Sequence, residues 1–187
     1  MEGKRTASNK KISYIAKSVN IPIELYESMR GKYFMGYADN LILGNGTGAW
    51  ARLYNPVNSG VNLYVNVWTV TDLSESPFLA EFWFNSDAYG KWTNLDTVTA
   101  TNFTLYPTPE PRIRLQAASC VLSEPPSGTK GFIRNGQPGT TVVDTENGKL
   151  IFPPGGSFMA YMSLRDDKSS YATGRIAFGW WEEKIRC

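Results

Sequence analysis

Histidine is absent from this chain of 187 residues, and cysteine occurs only twice, as Cys120 and Cys187. The first absence removes imidazole acid–base chemistry and the Ser-His-Asp and Cys-His nucleophile systems. It also removes the nitrogen ligand that most zinc and copper sites depend on. The two cysteines form no Cys-x-x-Cys pair, so neither a thioredoxin-like role nor a cysteine zinc site is expected. Charged residues are sparse at 19%. No apolar run approaches the roughly 20 residues that a membrane-crossing helix needs. Behind the basic opening Met1-Glu2-Gly3-Lys4-Arg5 no apolar stretch follows, so no secretory signal is expected. These absences read against an enzyme: no catalytic residue, metal site or cofactor is expected.

What is present is apolar and aromatic. Apolar residues make up 42% and aromatic ones 13%, enough for a real core and too many for a disordered chain. The 17 glycines and 11 prolines are scattered without a period, as in a loop-rich β protein. The length fits one domain.

Charge is unevenly placed. Residues 1–20 hold Lys4, Arg5, Lys10, Lys11 and Lys17 against Glu2, a sum of +4, and the other 167 residues sum to −2. That division marks residues 1–20 as a basic arm ahead of a single domain over 21–187. The body has no basic stripe, so neither nucleic acid nor membrane is an expected partner. Within the arm Ile12, Tyr14 and Ala16 alternate with Ser13, Ile15 and Lys17, the pattern of a strand that could add to a sheet edge. The segment Pro22-Ile23-Glu24-Leu25-Tyr26-Glu27-Ser28-Met29-Arg30, closed by Gly31, predicts one short helix over about 22–30.

From Lys32 onward the period is two. Val61, Leu63, Val65 and Val67 alternate with Asn62, Tyr64, Asn66 and Trp68. The same holds for Phe78–Phe84, for Phe158, Ala160, Met162 and Leu164 against Met159, Tyr161 and Ser163, and for Ile176, Phe178 and Trp180 against Ala177, Gly179 and Trp181. Shorter candidates lie at 33–37, 40–43, 49–54, 98–105, 131–134, 140–144 and 149–152. Turn residues separate the runs, with Gly44-Asn45-Gly46-Thr47-Gly48 reading as a turn and Thr145-Glu146-Asn147-Gly148-Lys149 as a hairpin. About ten strands without βα alternation predict an all-β fold: two packed antiparallel sheets in a β-sandwich, as a jelly roll.

Carboxylates are the acid–base groups that remain, but Asp166-Asp167 and Glu182-Glu183 are adjacent doublets whose members face opposite sides of a strand. They read as solvated residues, not a glycosidase pair. The tryptophans carry more. Trp68, Trp92, Trp180 and Trp181 are candidates for an exposed aromatic surface, serving either glycan stacking or assembly. Cys120 and Cys187 permit one internal bridge, two intermolecular ones, or none.

Two stretches carry a resemblance: Leu53-Tyr54-Asn55-Pro56-Val57-Asn58-Ser59-Gly60-Val61-Asn62-Leu63 and Leu150-Ile151-Phe152-Pro153-Pro154-Gly155-Gly156-Ser157-Phe158. With them the chain resembles small single-domain β proteins of spore-forming Firmicutes. Its layout is similar to the jelly-roll subunits of endospore appendage fibres, with an N-terminal connector, one β sandwich, and strand addition between subunits. The resemblance implies synthesis in the cytoplasm and a place outside the cell or on the spore surface, without a signal peptide. Those subunits carry connector cysteines; this arm has none, which leaves Cys120 and Cys187 for any cross-link.

The reading is therefore a non-catalytic subunit that assembles into a fibre or surface layer, with itself as partner. Lys10, Lys11, Ile12, Tyr14 and Ile15 form the assembly arm. The alternative is a carbohydrate-binding β-sandwich whose exposed Trp and Tyr stack on sugars. Glycans or other spore-surface proteins are the further partners considered.

Overall fold

The computed structural model describes residues 18–122, 126–165 and 171–185. One helix, α1 (Ile23–Met29), precedes the strands β1 (Tyr33–Gly44), β2 (Thr47–Tyr54), β3 (Val61–Asp72) and β4 (Phe78–Phe84). Three short or inserted strands follow: β5 (Trp92–Leu95), β6 (Val98–Ala100) and β7 (Arg114–Leu122). The chain closes with β8 (Thr129–Gly136), β9 (Thr141–Phe152), β10 (Ser157–Leu164) and β11 (Tyr171–Lys184). The protein is all-β and antiparallel, as its period-two runs require.

Pairing falls into two ladders. One runs β6-β1-β11-β3-β9 and the other β8-β4-β10-β2-β7-β5. They join through the Gly44↔Thr47 pair, where Asn45 (φ 49°) and Gly46 (φ 78°) make the turn expected of that glycine-rich segment. The far ends come back together, since Arg134 of β8 reaches Asp144 of β9 at 3.1 Å, so the sheet is nearly closed in a barrel-like shape.

The inner faces meet in one core that includes Leu43, Leu53, Leu63, Val70, Phe82 and Phe178, all buried. Its aromatic centre stacks Phe82 against Trp68 (ring centroids 4.1 Å apart) and Phe132 (4.5 Å). A second cluster lies on the opposite face of β2, β4 and β10, where Trp50, Trp83, Met159 and Tyr161 pack with Ala118 and Val121. Alternation places Met159 and Tyr161 on the outside, and so they are. The segment between β4 and β8 folds over that outside and buries it, so β10 is apolar on both faces.

The two stretches behind the resemblance meet in space. Asn55 donates its side-chain amide to Val61 O (2.8 Å) and Phe152 O (3.0 Å), while its backbone exchanges hydrogen bonds with Gly155 and Gly156. They form a buried corner that ties the end of β2 to the end of β9 and the start of β10. Their role is structural.

Three expectations change, all through bulges. The candidates 33–37 and 40–43 are one strand, β1, with a bulge at Asp39-Asn40 where Asn40 has φ 53°. In β3 an extra residue at Asn66 shifts the register against β11, and opposite it β9 bulges out over 146–149. Past Asn66 the phase flips, so Trp68 joins the core instead of sharing the outer face with Tyr64. The Asn147-Gly148 pair (φ 50° and 71°) is not a hairpin but a bulge inside the continuous strand β9. There a Cβ on Gly148 would fall 2.0 Å from the Trp181 ring. Gly148→Ala combines that overlap with a left-handed backbone, and a loss of about 2 kcal/mol is expected in urea unfolding.

Candidate functional site

The arm residues Lys10, Lys11, Ile12, Tyr14 and Ile15 lie outside the described residues, as do Cys187 and the doublet Asp166-Asp167. Cys120 is a free, exposed thiol on β7. It sits in a left-handed conformation (φ 51°) where the register with β2 slips between Gly48 and Trp50.

Of the four tryptophans expected to make an exposed surface, the structure leaves one outside. Trp68 and Trp180 are fully buried in the main core. Trp181 does point outward, but Tyr64 stacks on it (5.4 Å, 5° between planes) and the Gly148 bulge lies over it, leaving it buried as well. Trp92, on the short strand β5, is 43% exposed.

The body has two flanks of opposite character, and sequence reasoning found neither. At the first, the β5–β7 insertion covers the edges of β1 and β2: β7 pairs along β2, and β6 pairs with Phe34–Gly36 of β1. A buried carboxylate pins the insertion in place. Glu182 accepts the backbone N–H groups of Arg112 (3.0 Å) and Ile113 (3.1 Å) and the indole N–H of Trp180 (3.2 Å). On β2, opposite Gln116 of β7, Arg52 is buried without an acidic hydrogen-bond partner, donating to Gln116 Oε1 (2.7 Å) and to Ser86 O. Burial holds its guanidinium below the usual arginine range.

The second flank is a seam without a ladder: β8 and β9 lie alongside each other, bridged by Arg134 and Asp144, but their backbones do not pair, so an added strand has to part them. Among the described residues β8 pairs with β4 and β9 with β3, and nothing pairs with their other edges. Phe132, Val142 and Leu150 are only partly buried along this rim, and Ile133, Val143 and Ile151 are exposed on its outer side. The Trp68 indole N–H reaches out of the core to Glu146 Oε1 at 3.1 Å. The Arg134–Asp144 pair bridging the rim has both side chains about 40% exposed, which makes it a weak latch. Long unpaired edges are where chains add to sheets, and proteins that stay monomeric usually shorten or cover them. The opposite flank shows this chain doing so.

The family model of DUF6143, a family of unknown function, matches residues 5–187. The chain belongs to that family. No curated protein and no solved structure matches it. The DUF6143 match takes in most of the basic segment together with the body, so the two belong to one family unit.

Helix α1 and the residues just before it complete the described surface of this DUF6143 chain. Ahead of α1, Val19 is 81% exposed and Ile21 41% exposed. Helix α1 is held by charge: Glu183 lies between Lys32 Nζ (2.6 Å) and Arg30 (2.8 Å), and Arg30 also reaches the buried Glu27 (3.2 Å). Burial, and then the Glu183 charge, push Glu27 above the ordinary carboxylate range. Burial would raise Glu183 too, but the Lys32 and Arg30 cations outweigh it and hold its carboxyl below that range. For Glu182 burial outweighs the three N–H groups and raises it.

These shifts predict a pH profile. A raised carboxyl stabilises the fold below its unfolded pKa of about 4.3, and that gain is lost as pH rises through the higher folded value. Glu183 does the reverse, losing its contribution as pH falls below the same unfolded value. With no histidine to compete, thermal stability should rise as pH falls through the raised folded values of Glu27 and Glu182, and fall again once pH drops below the unfolded value of about 4.3 and Glu183 gains its proton. Calorimetry on wild type and Glu27→Gln checks this: the variant should lose part of the rise.

Proposed function

We propose that the chain is a non-catalytic structural subunit that self-assembles into a fibre or surface layer, with residues 1–20 of one copy pairing with a sheet edge of the next. The observation that carries this reading is the unpaired β8/β9 flank on a body whose opposite flank is covered. The strand order further supports a jelly-roll sandwich. The strands β1, β11, β3 and β9 lie in one ladder and β2, β10, β4 and β8 in the other. The connections β1→β2→β3→β4 and β8→β9→β10→β11 then pass from one ladder to the other at every step. The β5–β7 segment is an insertion in that scheme. A head-to-tail contact of this kind propagates unless its rotation closes, which suits a filament or a ring. Exposed Cys120 is available for a disulfide between copies, and an extracellular or spore-surface setting would permit one.

Deleting residues 2–20 tests the reading. The truncated chain should fold with an unchanged thermal transition and remain monomeric in light scattering, while the full chain assembles. Equal assembly by both would overturn it. The carbohydrate-binding reading draws less support, because three of its four tryptophans are buried. A glycan array read before and after Trp92→Ala checks it.

A further inference from the structure

Resting on that reading, we infer that the acceptor is the free edge of β9, and that residues 11–17 of a second copy occupy it as an added strand.

The edge can be read residue by residue. Asp72 N donates to Thr140 O, and the pairs Val70↔Val142 and Trp68↔Asp144 continue in register. In an antiparallel ladder alternate residues face the same neighbour. The N–H groups of Val142 and Asp144 therefore point to β3, and those of Thr141 and Val143 point to the unpaired side. β9 presents two ladder runs to that side, 141–145 and 150–152, separated by its bulge.

Charge chooses between β8 and β9. The basic segment sums to +4 over residues 1–20. β8 carries Lys130 and Arg134 and no acid, whereas β9 carries Asp144 and Glu146 against Lys149. A lysine-rich strand is repelled by the first and attracted by the second.

The apolar pattern fits on both faces. Residues 12, 14 and 16 of the added strand (Ile, Tyr, Ala) fall on the side of the partly buried Phe132, Val142 and Leu150. Ile15 falls on the other side with the exposed Val143 and Ile151, which are 60% and 51% open. One strand then covers both sides of the rim and supplies partners to the free N–H and C=O groups. The connection is short. Residues 18–22, between the added strand and α1, extend to about 17–18 Å at roughly 3.3–3.6 Å per residue, which brings the two bodies close together. A second copy, rather than the chain's own segment, is the occupant that the proposed exchange between copies requires.

The test uses the chain lacking residues 2–20 and a fluorescent synthetic peptide of residues 8–20, followed by polarisation. Saturable binding is expected, weakened at least tenfold by Val143→Pro in the protein, which removes an edge-facing N–H and leaves the β3 ladder intact. A peptide carrying Tyr14→Pro should weaken binding similarly, and it leaves the folding of the protein untouched. Binding undiminished by either change would place the acceptor elsewhere and overturn this inference while leaving arm exchange standing. No binding at all would overturn both. Self-association of the truncated chain that Val143→Pro abolishes would mean that β9 pairs edge to edge with its copy, which also overturns it.

Discussion

Trp68→Ala should cost about 3–5 kcal/mol, the range for removing a large aromatic side chain from a packed core. Trp68 is fully buried, stacks on Phe82 at 4.1 Å and meets Phe132 at 5.9 Å. It thereby links β3 of one ladder to β4 and β8 of the other. Its loss opens a cavity that three strands cannot close, and it leaves Glu146 Oε1 without the indole N–H. The denaturant midpoint should fall with little change in slope. Trp68→Phe keeps most of the area and should recover more than half of the loss. A cost below about 1 kcal/mol for Trp68→Ala would mean that this side chain is not core, and that the phase flip at the Asn66 bulge is absent.

Glu182→Ala should be nearly as severe, at about 3–5 kcal/mol, because it strands several donors at once. The N–H groups of Arg112, Ile113 and Trp180 converge on this one carboxylate, and Ile113 and Trp180 are themselves buried. The damage should be local as well as global. Amide exchange should rise across residues 92–122, since Glu182 is what anchors the return of the insertion to β11. Glu182→Gln keeps one acceptor oxygen and should lose about half as much. Exchange confined to the end of β11 would show that the insertion is held by other contacts.

How much of this was legible beforehand depends on the range of the interaction. Period-two alternation located the long strands, and Pro22 with Gly31 marked α1 to within a residue at each end. Both are local signals that need no partner. The bulges were opaque because Asn and Gly serve hairpins and bulges alike. Asn147-Gly148 reads as a turn until pairing with the same strand, β3, is seen to resume on both sides of it. The burial of Trp181, Met159 and Tyr161 was opaque for a different reason. Alternation says which face a residue takes, not whether another segment covers that face, and the covers here come from a bulge on β9 and from the β5–β7 insertion. The unpaired flank is a property of pairing between distant strands, so no window of sequence contains it. One trace was present: β9 keeps apolar residues on both faces, Val142 and Leu150 on one and Val143 and Ile151 on the other, which suits a strand with further covering to come.

The most direct measurement concerns whose body holds the basic segment. Chains labelled with ¹⁴N and ¹⁵N are unfolded together, refolded as a mixture and treated with a lysine-reactive cross-linker. Mass spectrometry then reads the isotope of each partner in links from Lys10, Lys11 and Lys17 to Lys149 on β9. The account predicts that, in an equal mixture, about half of those links join a light chain to a heavy one, the share that random exchange between copies gives. Links that join only like with like would mean that each chain keeps its own segment, and would contradict assembly by exchange.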